Sequence, residues 1–306
     1  MQLLSYSICI LLYLTASGAP GCRPAPEPKK NRPEKADRRA GGPEIPVYAL
    51  SKPNLTISLE SPALVEISGL SPGGQSGELL AIADESGEVF FLSAEDGSIR
   101  RRIPFRDRGD FEGIELVSGV IYALKSNGEI FEIKNWEKGP MQVNSYKTPL
   151  QKANDLEGLA FDPTKNALLL ACKEDPEQFG PRNVFAFSLE TKQLAEIPVY
   201  TINPVTIDSL LAPGPEDKNH AFSPSAIAVH PLRKEVYLLS TALKRMVVLD
   251  APSGKVLQVY RIDKKLIPQP EGMAFDAQGN LYISSEGKNG PGMLYRFDYQ
   301  KPGRLK

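Results

Sequence analysis

Apolar and polar positions along this chain follow a pattern that repeats. One short phrase recurs five times, as EISGL at Glu66, FEGIEL at Phe111, LEGLAFD at Leu156, PSAIAVH at Pro224 and PEGMAFD at Pro270. After each comes a second apolar run (ELLAIADESG, VIYALKSNG, ALLLACKED, EVYLLSTAL, NLYISSEG) and then a third (EVFFLSAEDG, EIFEIKNWE, NVFAFSLE, MVVLDAPSG, MLYRFDYQ). A fourth, more polar run ends all units but the last: SIRRRIPF, MQVNSYKT, QLAEIPVY and KVLQVYRI. The runs are short, rich in β-branched and aromatic residues, and separated by turn chemistry such as Asp96-Gly97, Asn127-Gly128, Asp162-Pro163, Ser253-Gly254 and Gly279-Asn280. Such punctuation marks strands and hairpins rather than helices. Four antiparallel strands per unit, at a period of about 45 residues, predict the blades of an all-β propeller.

The last unit has no fourth run, whereas NLTISLE at Asn54 to Glu60 is a strand without a blade. Pairing the two closes the ring and removes unpaired edges. The phrase spacing is regular except between Leu156 and Pro224, where it is longer by about half a unit. The chain therefore reads as five blades, with six as the alternative, and the stretch 199–221 reads as a proline-rich insertion.

Before the repeats, residues 1–21 read as an export signal, with an apolar stretch followed by small residues but no basic start. Ala19-Pro20-Gly21-Cys22 resembles a lipobox, which makes Cys22 the expected lipidation site and the bacterial cell envelope, periplasmic or outer-membrane side, the expected location. A secreted soluble protein is the alternative. Residues 22–48 are rich in proline and charge and read as a solvated tether to a single propeller domain over 49–306. Once Cys9 leaves with the signal and Cys22 is acylated, Cys172 is the remaining cysteine, so no disulfide framework is expected; Cys172 itself reads as a buried small apolar residue.

Composition narrows the chemistry. The 306 residues carry 36 Lys and Arg against 37 Asp and Glu, which gives no basic footprint for nucleic acid. Two histidines, His220 and His230, argue against a His-rich metal site. No GxSxG, HExxH or phosphate-binding glycine loop occurs.

Acidic residues inside the repeat are the lead on function. In a blade, the innermost strand starts on the face to which the second strand returns. Glu112, Glu157 and Glu271 start inner strands, with Asp110 and Asp155 two residues earlier on the same side; Asp84, Glu85, Glu174, Asp175 and Glu286 end second strands. These carboxylates are expected to converge on one channel mouth, where crowding would raise their pKa unless a positive charge sits among them. A hard cation with oxygen ligands, Ca2+ above all, suits Glu112, Glu157, Glu174, Glu271 and Glu286. Lys125 and Lys173 could offset the charge instead, or each Glu could accept backbone N–H bonds and bind nothing. The glycine after each Glu is read as permitting close approach near the axis. Asp162 and Asp276 read as turn formers on the opposite face.

At EISGL with LLAIADESGEVFFL, GDFEGIEL with YALKSNGEIFEI, NDLEGLAFDPTKNALLLACKEDP and PEGMAFDAQGNLYISSEG, the chain resembles the SdiA-regulated family of bacterial envelope proteins. The resemblance runs from about Asn54 to Asp298. It implies a propeller related to phytase-like and SMP-30/NHL-like propellers, with no settled activity. Related propellers hold calcium with carboxylates at the channel mouth, sometimes for phosphate-ester or lactone hydrolysis; by position this implies Glu112, Glu157, Glu174, Glu271 and Glu286. The chain departs from a full ring at Ser225-Ala226 and Ser68-Gly69, where Glu-Gly would stand. Three functions follow as expectations: a membrane-tethered module that binds an envelope protein or small ligand, a calcium-dependent phosphoesterase or lactonase, and a structural propeller indifferent to metal.

Overall fold

Strands whose two faces are both covered need apolar residues at every position, and this accounts for runs such as LLAIA and LLLAC that do not alternate. In the computed structural model, which describes residues 47–174, 180–212 and 221–301, these runs are the inner layers of five four-stranded antiparallel sheets. After β1 (Leu55–Leu59), the first blade comprises β2 (Ile67–Pro72), β3 (Glu78–Ala83), β4 (Glu88–Ser93) and β5 (Ile99–Pro104). The second has β6 (Phe111–Val117), β7 (Val120–Lys125), β8 (Glu129–Lys134) and β9 (Gln142–Lys147). The third has β10 (Leu156–Asp162), β11 (Ala167–Cys172), β12 (Arg182–Ser188) and β13 (Tyr200–Ile202), and the fourth β14 (Ala226–Val229), β15 (Glu235–Ser240), β16 (Arg245–Asp250) and β17 (Val256–Arg261). The fifth is built from β18 (Pro270–Phe275), β19 (Leu281–Ser285) and β20 (Gly292–Phe297), with β1 as its outer strand. The chain is a five-bladed β-propeller.

β1 pairs antiparallel with β20, Leu55 opposite Arg296 and Leu59 opposite Gly292, as ring closure requires. It also carries Ile57 and Leu59 into the core between the fifth and first blades. Each neighbouring pair of blades encloses one apolar cluster: Phe91, Phe105, Phe111 and Phe131 between the first and second, and Tyr237, Met246, Phe275 and Phe297 between the fourth and fifth. At about 1.5–3 kcal/mol per buried large apolar side chain, these five interfaces are the main source of stability. The outer strands β5 and β9 are mostly exposed, and their sequences are correspondingly polar.

The long spacing between the third and fourth phrases has a definite content. Its start, Tyr200–Ile202, is the third blade's outer strand, paired with Arg182–Val184 of β12. A short helix, α1 (Pro204–Leu210), follows, with the Asn203 side chain accepting from the Val205 N–H and Pro204 in the first turn. No helix among the described residues is long and apolar enough to cross a membrane.

On the face carrying the turns between first and second strands, Val47, Tyr48 and Leu50 dock against the fourth and fifth blades. Tyr48 Oη donates to the Gly279 carbonyl at 2.7 Å and lies 2.8 Å from His230 Nε2. The Leu232 N–H donates to His230 Nδ1 at 3.1 Å, so the ring is neutral with its proton on Nε2. Burial holds its pKa down at about 4. Val47, Tyr48 and Leu50 thus lie on the face opposite the Glu-Gly phrases.

Candidate functional site

Four of the five inner strands start with the same irregularity. Register slips between Ile67 and Gly69, Phe111 and Gly113, Leu156 and Gly158, and Pro270 and Gly272, leaving Ser68, Glu112, Glu157 and Glu271 as bulged residues outside the ladder. A bulge re-aims the side chain it carries, and here the carriers sit around the channel axis. The following glycines allow the crowding: a Cβ on Gly113 would lie 2.5 Å from Leu159 Cβ, and one on Gly158 would lie 3.0 Å from Ile227 N. Ser68 and Ser225, which replace Glu in the first and fourth blades, each donate to the next blade's backbone, to Phe111 O at 2.7 Å and Pro270 O at 2.8 Å. Where no carboxylate faces the channel, a hydroxyl bridges blades instead.

Second-strand ends meet these bulges through one recurring bond. Asp84 N donates to Glu66 O, Ser126 N to Asp110 O, Lys173 N to Asp155 O and Glu286 N to Gln269 O, at 2.7–3.0 Å. Asp84, Asp110 and Glu112 thereby gather, each offering one oxygen within 4.8 Å of the others. Ser126 Oγ donates to Asp110. On the neighbouring blade Lys173 Nζ pairs with Glu157 Oε1 at 2.7 Å and with Asp155 Oδ2 at 3.6 Å.

The electrostatics follow from burial and crowding. Burial, then the charges of Glu157, Asp84, Asp110 and Glu271, push the Glu112 carboxyl up to about 10. Glu271 rises to about 8, from burial and then Glu157, with Lys173 offsetting part. Asp84 rises to about 7, from burial and a hydrogen bond shared with Asp110. Glu157 is also raised by burial, although Lys173 draws it down. At Asp110 burial pushes upward too, but hydrogen bonds from Ser126, Asp84 and Glu112 outweigh it and hold the group low. Such a mouth must take up protons or a cation near neutral pH.

Of the residues singled out in sequence, Glu112, Glu157 and Glu271 come together at the axis, and Glu286 lies close enough to raise Glu271. Glu174 does not join them: its carboxylate turns to the buried Arg182, 3.9 Å away. The tightest oxygen cluster instead adds Asp84 and Asp110 to Glu112. Asp162 and Asp276 are turn formers, accepting from Thr164 N and from Gln278 and Asn280 N. Cys172 is buried in β11. Cys22, Asp175 and His220 lie outside the described residues.

A feature the repeats did not advertise lies at the other end of the channel. Beneath the plug formed by Leu70, Ile114, Leu159, Ile227 and Met273 opens a cleft of about 660 Å³, with Glu115 on its wall. The signal was present: three residues after each bulge position, and after the matching Ser225, stand Ser71, Ala160, Ala274 and Ala228, all small, but in the second blade Glu115.

This five-bladed propeller with a carboxylate-ringed mouth falls in a known class. The SdiA-regulated family model matches residues 49–298, and the chain belongs to that family. Among solved structures, the fold is similar to Myxococcus xanthus glutaminyl cyclase (12% identity, 82% of this chain and 97% of that one, TM-score 0.56). It is also similar to a luciferin-regenerating enzyme (11% identity, 83% and 98%, TM-score 0.50). At such identities the likeness is one of fold.

Proposed function

We propose that this chain is a membrane-tethered binding module of the bacterial cell envelope, anchored through a lipid on Cys22, whose carboxylate mouth holds Ca2+. The observation that carries the cation is the convergence of Asp84, Asp110 and Glu112 within 4.8 Å. Ca2+ takes six to eight oxygens at about 2.3–2.6 Å, so oxygens spanning up to about 5 Å fit around one ion. The set is all oxygen, with Glu157 and Glu271 as nearby reserves of charge. Binding rather than turnover is favoured because His230, the one described imidazole, is engaged at the other end of the channel. The ligand presented to this face is an envelope protein or a small molecule rather than a nucleic acid, consistent with a near-neutral chain.

Two arms test the reading. Calorimetric titration of Ca2+ into chelator-treated protein should show one saturable site that Glu112→Gln removes. In cells, Cys22→Ala should move the protein from the membrane to the soluble fraction. Absence of Ca2+ binding overturns the cation, and an unchanged fractionation overturns the anchor.

A further inference from the structure

The cleft at the lower end of the channel has the size and lining of a ligand site. About 660 Å³ falls within the range of small-molecule pockets, and Leu70, Leu116, Phe161, Ile227, Met273 and Phe275 give it apolar walls. It exists because inner strands narrow there to small residues: Ala228 and Ala274 line it where a larger side chain would fill the axis.

One acidic group on its wall lacks a cation. Glu115 Oε1 accepts from Ser71 Oγ at 2.7 Å and Leu116 N at 3.2 Å, and Oε2 accepts from Phe161 N at 3.0 Å. These donors belong to three blades and fix the carboxylate in place. Other charges at the cleft are already matched. Lys165 pairs with Asp162 at 2.7 Å, and Arg233 binds Glu235 through two nitrogens at 2.6 and 2.5 Å. His230 is neutral with both ring nitrogens engaged, and Lys234 stands on the exposed rim. Among the described residues no cation pairs with Glu115; burial alone raises its carboxyl to about 7, against the pull of the three hydrogen bonds.

We propose that this cleft binds an apolar small molecule carrying one protonated amine, the ammonium pairing with Glu115 and the apolar body lying along Phe161, Ile227, Met273 and Phe275. A carboxylate already held by fixed donors loses little freedom on accepting another, and a charge-assisted bond shielded by apolar walls is stronger than a neutral one. The site is separate from the carboxylate mouth and does not depend on a cation there.

The test uses a matched set of naphthylalkyl probes of equal length ending in an ammonium, a hydroxyl or a carboxylate, titrated into the chelator-treated full chain. The ammonium probe should bind about tenfold or more tighter than the hydroxyl probe, with the carboxylate weakest. Glu115→Gln should bring ammonium and hydroxyl probes to similar affinity. Val229→Phe, at a half-buried position bordering the cleft, should weaken both. The proposal is overturned if the carboxylate or hydroxyl probe binds as well as the ammonium, or if Glu115→Gln leaves the preference intact. It is equally overturned if no probe binds, whether the cleft is closed in solution or filled by another part of the chain. Should Glu115→Gln fail to fold, the order of affinities in the unaltered protein and the effect of Val229→Phe still decide.

Discussion

Glu112 offers a test in which one substitution should change sign with conditions. Its carboxyl ionises at about 10 in the folded protein against an ordinary 4.5. Below pH 4.5 both folded and unfolded chains hold the proton; above it the unfolded chain releases the proton and the folded one keeps it. Stability therefore falls as pH rises from 4.5, by about 1.4 kcal/mol per unit, or about 3 kcal/mol at pH 7. Asp84 and Glu271, raised to about 7 and about 8, act in the same direction. Glu112→Gln keeps the shape and removes the titration. In chelator the variant should match the parent near pH 4.5 and exceed it at pH 7, by up to about 3 kcal/mol, or about 6 °C or more in unfolding midpoint. Ca2+ at a hundredfold its dissociation constant should stabilise only the parent, by about 2.7 kcal/mol, closing the gap. Thermal unfolding followed by circular dichroism at pH 4.5, 5.5 and 7, with chelator and with Ca2+, reads all of this. A parent whose midpoint in chelator is flat across that range, or a variant less stable than the parent at pH 7, would refute the account of a proton-loaded mouth.

Other parts of the ring make separate predictions. Lys173→Gln frees Glu157 from its 2.7 Å pair and should tighten Ca2+ binding about tenfold in calorimetry, since a competing cation has gone. Leu59→Ala, fully buried in the closing strand, should lower stability by about 2–5 kcal/mol in denaturant unfolding. Gly113→Val should abolish soluble folded protein because of the Leu159 contact; Gly119→Ala, with nothing within 4 Å but a φ of 80°, should cost only about 1 kcal/mol.

What could be read in the sequence depended on burial. Second strands such as Glu78–Ala83 and Ala167–Cys172, covered on both faces, left near-continuous apolar runs whose recurrence set the blade number. The third blade's outer strand was obscured because it is only three residues, Tyr200–Ile202, followed directly by a helix within a proline-rich stretch. At the mouth, Glu-Gly marked the close approach near the axis but not the bulges, and the pairing of Glu174 with Arg182 joins side chains from two strand ends that carry no shared motif. Glu115 went unmarked for a different cause: the eye follows positions that agree between repeats, whereas this residue carries information by disagreeing with Ser71, Ala160, Ala228 and Ala274.

Ring closure by β1 also sets an order of events during synthesis. Leu55–Leu59 is the first of the described strands to leave the ribosome, yet its partner Gly292–Phe297 follows roughly 230 residues later, a wait of about 10–50 s at usual elongation rates. Throughout that interval Ile57 and Leu59 have no blade to complete, and the first blade's face toward the fifth stays uncovered. The nascent propeller is an open arc whose two ends are both adhesive, and completion of the fifth blade by β1, rather than of any earlier blade, is the moment at which it becomes safe from its neighbours.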